Sequence, residues 1–321
     1  MPRTQTHLLT GLMIAIGTMF ISVPAQAERK PLDWLNHMGA AVQSTSYEGT
    51  VIRMQDGTAE ALKVVHTVKD GVIMERVVAQ EGNGLEIIRK GNEVHCILPD
   101  RKSVLVEEWD DQSTLFSTLP TSDIRIGSEY DVAIVRKERV AGREAILLAI
   151  RPHDGFRYGH RIWLDTETSF PLQTQLVSDG TAIEQVKFAD ITLNHEIHAS
   201  ALEPSYSTEN FTWLRQPLGH NGSHIETSWI SDQLPSGFRV VATHEETMAG
   251  GDELVTHILF SDGLANVSVF IAANSGKLVA GPARVGGSNS FSVEYGDFEI
   301  TAIGEVPAIT VEQIATTMRQ P

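Results

Sequence analysis

Apolar and polar residues alternate in short runs between Tyr47 and about Asn194, and turn-forming residues separate one run from the next. The turn signals are Asp56-Gly57, Asp70-Gly71, Gly82-Asn83-Gly84, Gly91-Asn92, Pro99-Asp100, Ala141-Gly142 and Asp179-Gly180. Turns this closely spaced permit hairpins but leave no room for the helical crossovers that parallel strands need. The pattern therefore predicts one large antiparallel sheet that is strongly curved.

Two segments have the composition expected of elements that pack against one face of this sheet. "PLDWLNHMGAAVQS", which begins at Pro31, places Leu32, Leu35, Met38 and Val42 near helical spacing, and Pro31 suits the first turn. We therefore expect an amphipathic helix before the first strand. "DDQSTLFSTLPTSD" is expected to add helical or irregular cover.

The pattern changes after the predicted sheet. Residues 198–226 are rich in Pro, Ser, Asn and Gly and show little periodicity, which indicates a linker or an irregular crossing segment. From Thr227 to Ile303 five or six further strands are expected, including a hairpin that turns at Ser261-Asp262-Gly263. Thr310-Val311-Glu312-Gln313 has the pattern of a capping box ahead of a short terminal helix.

The first residues have the composition of a secretory signal peptide. Arg3 precedes an apolar stretch, and Ala25-Gln26-Ala27 forms a cleavage site of small residues. A transmembrane anchor is the alternative, but it needs about 20 uninterrupted apolar residues. We therefore expect residues 1–27 to be removed and the chain to reach the periplasm. The predicted organisation is an N-terminal domain over 28–200, a linker over 201–226 and a C-terminal domain over 227–321.

Charge and cysteine content limit the classes of ligand and of metal or disulfide site that the chain can have. The formal net charge of −16 argues against a general affinity for nucleic acid, and an anionic lipid would need a local basic patch or an apolar cavity. Cys96 is the only cysteine, so an internal disulfide framework and a cysteine-rich metal site are excluded. Cys96 itself is expected to be a small buried apolar side chain.

No motif predicts catalysis. His195 and His198 are three residues apart, whereas the zincin pattern needs two histidines four apart on a helix. No G-x-S-x-G elbow occurs, and the glycine-rich "VGGSNSFS" lacks the lysine of a phosphate-binding loop. The remaining histidines are scattered. We therefore predict a protein that is not an enzyme and that has no metal site and no cofactor.

Aromatic and sulfur-containing side chains on the predicted sheet point to an apolar cavity, because a curved sheet of this size is difficult to fill with side chains. An ordinary core is the alternative for each of them. For the lipid-binding cavity we predict Tyr47, Met54, Met74, Trp109, Phe116 and Trp163. Arg76, Arg89, Arg157 and Arg161 are candidates for a basic rim, with Arg76 and Arg89 predicted to contact a headgroup, unless they pair with carboxylates. For the C-terminal partner-binding face we predict Phe260, Asp262 and Phe270.

Several longer stretches follow one another in a specific order. They are "SYEGTVIRMQDG" at 46–57, "MERVVAQEGNGLEIIRKGNEVHCILPD" at 74–100, "YGHRIWLDTETSFPLQTQLV" at 158–177, "LPSGF" at 234–238 with "HILFSDGLANVSVFI" at 257–271, and "GEVP" at 304–307. In sequence and spacing they resemble the RseB/MucB family, the periplasmic regulators of the σE envelope-stress response. The resemblance covers essentially the whole mature sequence.

The resemblance implies an α+β fold: a large antiparallel half-barrel with covering helices, similar to the lipoprotein carriers LolA and LolB, and a smaller C-terminal β domain with a terminal helix. It implies binding to the periplasmic domain of an anti-sigma factor similar to RseA or MucA, protection of that domain from site-1 proteolysis, and release on sensing lipopolysaccharide or another acylated lipid.

Two other functions are alternatives to regulation of an anti-sigma factor. A periplasmic lipid or lipoprotein carrier would need only the N-terminal domain, so the second domain counts against it. A periplasmic hydrolase would need a catalytic constellation that the sequence does not contain. The sequence leaves open which lipid is sensed, which residues meet the anti-sigma factor, whether the protein forms a homo-oligomer and how the domains are oriented.

Overall fold

The computed structural model describes residues 29–108, 119, 126–215, 226–247, 254–276 and 279–320. The predicted signal peptide, Trp109 and Phe116 lie outside these residues. Helix α1 (Pro31–Ser44) begins at Pro31 and buries the side chains of Trp34, Leu35, Met38, Ala41 and Val42. These positions recur at helical spacing, so one face of α1 packs against a sheet, as predicted. Leu32, which was predicted on the same face, is 48% exposed.

The N-terminal unit is built on one large sheet. Its strands are β1 (Tyr47–Gln55), β2 (Thr58–Lys69), β3 (Val72–Ala79), β4 (Glu86–Lys90), β5 (Glu93–Leu98), β6 (Ser103–Glu108), β7 (Tyr130–Val140), β8 (Arg143–Pro152), β9 (Gly159–Asp165), β10 (Pro171–Ser178), β11 (Thr181–Leu193) and β12 (Thr212–Arg215). They lie in the order β12-β6-β5-β4-β3-β2-β1-β11-β10-β9-β8-β7. Each strand from β1 to β11 pairs antiparallel with its neighbours among these eleven, as the closely spaced turns predict.

The segment predicted as a linker contributes to this sheet. A short 3-10 helix (Ala199–Leu202) precedes β12, which pairs in parallel with β6 at the edge of the sheet. All four side chains of β12 are exposed, so the strand has no buried face that would produce an alternating pattern. This is why composition alone did not identify it. A second short 3-10 helix (Pro99–Arg101) connects β5 to β6.

The face of the large sheet that packs against α1 is called the inner face, and the other is called the outer face. On the inner face Tyr47, Val51, Val64, Leu148 and Ile162 are buried in one apolar cluster with the α1 side chains. Helix α1 contacts β2, in the middle of the strand order, and β7, at one edge of the sheet. The main core of the N-terminal unit therefore lies between α1 and the inner face.

The C-terminal unit has a smaller sheet. Its strands are β14 (Arg239–Thr247), β15 (Leu254–Ser261), β16 (Asn266–Ala273), β17 (Gly281–Val285), β18 (Ser288–Tyr295) and β19 (Phe298–Gly304), in the order β14-β15-β16-β19-β18-β17, and all the pairings are antiparallel. Helix α2 (Ala308–Thr317) packs against β18 and β19. A two-stranded ladder joins β13 (Ile230–Ser231) to β20 (Met318–Arg319).

The predicted hairpin is present between β15 and β16. Val267, Val269 and Ile271 share the buried face of β16, as their alternation predicted. The capping-box prediction is wrong, because α2 begins at Ala308 after Pro307 and no side chain caps it. The Thr310 hydroxyl instead donates a hydrogen bond of 2.6 Å to the carbonyl oxygen of Phe156 in the N-terminal unit.

Candidate functional site at the junction of the two units

A buried ion pair joins the two units. The Arg157 Nη1 atom, in the loop before β9, lies 3.0 Å from the Asp262 Oδ2 atom in the β15–β16 turn, and both side chains are almost completely buried. The Tyr130 hydroxyl donates a hydrogen bond of 2.8 Å to the same carboxylate oxygen. We call these three residues the junction clasp. Burial and the neighbouring Asp262 carboxylate raise the pKa of Tyr130, so its hydroxyl stays a donor at neutral pH.

The Arg157 guanidinium is held from several sides. Its Nη2 atom donates a hydrogen bond of 2.6 Å to the Ser236 carbonyl oxygen, and its Nε atom lies 3.2 Å from the Asp154 carboxylate. Its central carbon lies 5.4 Å from the centre of the Tyr130 ring and 5.1 Å from that of Phe238, within the range of cation–π contacts. The Nε and Nη1 atoms approach their carboxylates without hydrogen-bond alignment, so electrostatic attraction holds the pair.

The Asp262 side chain also builds its own turn. Its Oδ1 atom accepts hydrogen bonds from the backbone N–H groups of Leu264 and Ala265, at 2.9 and 2.8 Å. Gly263 between them has a φ of 99°, a conformation that favours glycine. One carboxylate therefore fixes the hairpin with one oxygen and the N-terminal unit with the other.

Two further contacts extend the junction. The Asn289 side-chain amide donates hydrogen bonds to the Tyr158 hydroxyl and to the Val306 carbonyl oxygen, at 3.0 and 2.7 Å. The Glu184 carboxylate accepts hydrogen bonds from Gln55 and from the backbone N–H of Gly287. These contacts add hydrogen bonds between the two units beside the junction clasp.

Glu305 is a titratable group at this junction. Burial and, to a smaller extent, the nearby Glu184 carboxylate raise its pKa to about 7, and Arg53 opposes the shift. Glu305 and His160 line one small cavity. Burial lowers the pKa of the His160 imidazole to about 4. At neutral pH His160 is therefore uncharged, and Glu305 is poised between its two protonation states.

Because the folded chain holds the Glu305 proton more tightly than the unfolded chain does, the stabilisation from this group is complete below pH 4.5 and is lost as the pH rises through about 7. We expect the loss to be about 1–2 kcal/mol once partial exposure is discounted. Denaturant unfolding of wild type and Glu305→Gln at pH 5 and pH 8 measures it. The variant should lack this part of the pH dependence, and parallel profiles would contradict the assignment.

A groove lies beside the junction on the outer face. It encloses about 810 Å³ and is lined by β7–β10, by the loop that carries Arg157 and by Pro307 of the C-terminal unit. Its floor is apolar, with Leu147, Ala149 and Trp163. The Trp163 indole N–H donates to the Glu138 carboxylate, so its polar atom is already satisfied. Arg136, Arg151 and Arg161 also line the groove.

The described side chains among those predicted for a lipid cavity do not all lie on one face of the sheet. Tyr47 is 1% exposed and lies in the inner core, where its ring stacks on that of His66. Met54 is 44% exposed on the outer face and accepts a contact from Gln185. Trp163 is also on the outer face, in the groove. The strand register places Met74 on that face too, opposite Thr67.

The two arginines predicted to meet a headgroup have partners inside the chain. Arg76 pairs with the fully buried Glu86 and donates to the Ala201 carbonyl oxygen and to Ser205, so it fastens the crossing segment to the outer face. Arg89 is buried, and its Nε atom donates to the Gly91 carbonyl oxygen at 2.8 Å. The Arg76 contact follows the alternative in which an arginine pairs with a carboxylate, whereas the contact shown for Arg89 is to a backbone carbonyl oxygen. The lipid contacts of all these residues stay a prediction.

The three residues predicted for a partner-binding face also have different surroundings. Phe260 is 1% exposed in the core of the C-terminal unit. Asp262 belongs to the junction clasp. Phe270 is half-buried on the opposite face of its sheet, where its ring stacks on that of His257 with centroids 4.4 Å apart. Of the three, Phe270 is the one whose side chain reaches the surface.

The described part of the chain contains no group of three or more His, Cys, Asp or Glu side chains arranged to hold a metal ion. None of its helices is long and apolar enough to cross a membrane. Burial raises the pKa of the Cys96 thiol to about 11, so this thiol is protonated at neutral pH.

The sequence matches two family profiles. The profile described as the MucB/RseB N-terminal domain matches residues 30–206, and the profile described as the MucB/RseB C-terminal domain matches residues 223–319. The chain is 29% identical over 318 residues to the sigma factor AlgU regulatory protein MucB of Pseudomonas aeruginosa, covering 97% of each chain. It is 25% identical over 315 residues to the sigma-E factor regulatory protein RseB of Escherichia coli K12, covering 98% of each.

Solved structures give the same similarity. The complex of Pseudomonas aeruginosa MucA and MucB contains a chain with a TM-score of 0.68 and 26% identity, over 90% of this chain and 98% of that one. A structure described as MucB in complex with MucA(peri) gives a TM-score of 0.67 and 26% identity, over 91% and 99%. The similarity extends across both units.

Proposed function

Because the chain belongs to the MucB/RseB family along both of its units, we propose that it binds the periplasmic domain of an anti-sigma factor similar to RseA or MucA and so restrains a σE-type sigma factor. The observation that carries the proposal is the match of both profiles, in order, along one chain. A similar MucB has been crystallised with MucA(peri), and the similarity spans 91% of this chain. The division into two domains and the periplasmic location predicted above are part of the proposal, with β12 assigned to the N-terminal domain.

The proposal extends to regulation. The bound anti-sigma domain is protected from site-1 proteolysis, and lipopolysaccharide or another acylated lipid releases it. Both steps rest on the family resemblance. The junction supports a coupled mechanism, because a buried ion pair and hydrogen bonds join the two units. If lipid weakens partner binding by some factor, partner binding must weaken lipid binding by the same factor.

The test is a calorimetric titration of residues 28–321 with the periplasmic segment of the anti-sigma factor from the same organism, with and without lipopolysaccharide. We expect binding in the absence of lipid and an affinity at least about fivefold lower when lipid is saturating, the lower end of typical coupling between sites. Binding that lipid leaves unchanged would contradict the release step alone. Absence of binding in both conditions would contradict the proposed function and would favour the lipid-carrier alternative.

A further inference from the structure

Two arginines of the outer-face groove, Arg151 and Arg161, form no ion pair with the described residues. The carboxylates nearby are Asp154, which contacts Arg157, Asp179, which lines the groove, and Asp131, which stands opposite Arg151 on β7 and contacts His153. Arg161 donates hydrogen bonds to the Gln175 amide oxygen at 3.4 Å and to the Gly180 carbonyl oxygen at 3.0 Å, both of which are neutral. Arg151 is exposed and makes no ion pair with the described residues. Arg136 pairs with Glu138. In a chain with a net charge of −16, two arginines without a carboxylate partner in one groove are an unusual local feature.

Strand register fixes where these side chains lie. Ala149 stands opposite Arg161, so Arg151, two residues further along β8, is a diagonal neighbour of Arg161 on the same face. Diagonal neighbours in a sheet are about 7–8 Å apart. Two residues before Ala149 on β8, Leu147 stands opposite Trp163. The face therefore presents Arg151 with Asp131 opposite it on β7, then Arg161, and then the apolar pair Leu147 and Trp163, each row two residues from the next.

An extended peptide has a matching repeat. Alternate side chains of a β-strand point the same way and are about 6.5 Å apart, close to the spacing of the rows. A peptide running along β8 would place one carboxylate at Arg151, the next at Arg161 and an apolar side chain at Leu147 and Trp163. Val135, which is 42% exposed at the edge strand β7, also lines the groove and would widen the apolar contact.

The geometry points to this groove, which we define by Arg151, Arg161, Leu147 and Trp163, as the binding site for an acidic extended segment of the anti-sigma factor with carboxylates at alternate positions followed by an apolar residue. The inference rests on the proposed function and adds to it a surface and a chemistry. Acyl chains fit less well, because the exposed Arg151 guanidinium lines the groove and would lose water without gaining a partner. A carboxylate would instead form charge-assisted hydrogen bonds with the arginines.

The test uses residues 28–321 and the periplasmic segment of the anti-sigma factor from the same organism. The variant Arg151→Glu/Arg161→Glu should bind at least about tenfold more weakly than wild type, since like charges across an interface are strongly unfavourable. Arg151→Gln/Arg161→Gln should lie between the two. The matched control is Arg101→Glu, because Arg101 is exposed in the short helix between β5 and β6, away from the groove. It should bind within about twofold of wild type, because a change of charge this far away is largely screened by salt.

The outcomes separate the inference from the function on which it rests. If wild type binds and the charge-reversed variant, shown to be folded by its thermal melt, binds equally well, the inference is wrong and the function stands. If wild type does not bind, both are wrong. A second arm uses vesicles containing phosphatidylglycerol. If wild type binds the vesicles, the charge-reversed variant does not and both bind the anti-sigma segment equally, the groove is a lipid surface and the inference fails.

Discussion

Replacement of Asp262 by alanine is expected to lower the free energy of unfolding by about 3–5 kcal/mol. The change leaves the buried Arg157 guanidinium without its main counter-charge, and it removes the acceptor of the Tyr130 hydroxyl. It also removes the acceptor that holds the turn at Leu264 and Ala265. Denaturant unfolding followed by tryptophan fluorescence measures the loss, with the circular dichroism signal of the sheets as a second probe.

Two variants separate the causes. Asp262→Asn keeps an oxygen for the turn but removes the charge, so it should retain part of the stability that alanine loses. Arg157→Met combined with Asp262→Asn removes both charges of the buried pair and should be more stable than the sum of the single changes predicts. If Asp262→Ala costs less than about 1 kcal/mol, the pair is hydrated and the clasp is open in solution.

The clasp matters for how one unit responds to the other. Domain interfaces within a chain normally allow relative motion unless they are large and apolar. Here a buried charge pair joins the two units, and separating them would leave each charge without its partner. If the proposed lipid-triggered release acts through a rearrangement of the two units, that rearrangement must open the clasp or move it as one body. The free energy of unfolding lost in the Asp262 variants indicates how much free energy opening the clasp would cost.

The turns explain why much of the sheet was predictable. Asp56, Asp70 and Asp179 have φ near 50°, and the glycine after each has φ near 80°, the pair of positive angles that a tight hairpin requires. Asp-Gly supplies those angles at little cost, so the sequence marks the turn directly. Strand order in a meander then follows from the turns. The boundaries of the β1–β3 and β10–β11 hairpins depend only on such local chemistry.

The candidate site could not be predicted in the same way. Alternation in one strand shows that two faces exist but not which face packs against α1. It does place Tyr47 and Met54, seven residues apart on β1, on opposite faces, so one cavity for both conflicts with the strand period as well as with the fold. The clasp joins Arg157 to Asp262 between separate sheets, and no local pattern reports such a pair. Arg161 appeared in the sequence as one of several candidate rim residues. Only the register shows that Arg151 is its neighbour.

Tyr47→Ala is expected to lower the free energy of unfolding by about 3–5 kcal/mol, because it removes a fully buried aromatic ring from a packed core. The ring lies 4.8 Å from that of His66 and 4.9 Å from that of Phe170, measured between centroids. Burial raises the pKa of its hydroxyl well above the ordinary value, which is consistent with an apolar surrounding. Urea unfolding at neutral pH measures the change. Tyr47→Phe keeps the ring and should stay within about 1 kcal/mol of wild type, since it deletes one hydroxyl.

The matched comparison is Met54→Ala on the same strand. Met54 is 44% exposed, so this variant should cost less than about 1 kcal/mol. Lipid binding measured on both variants at a temperature where both are folded then distinguishes a core role from a contact. If Tyr47→Ala keeps its stability but loses lipid binding, Tyr47 faces a ligand and the inner core is open. If it loses stability and keeps lipid binding when folded, the ring holds the sheet against α1 and the cavity lies elsewhere.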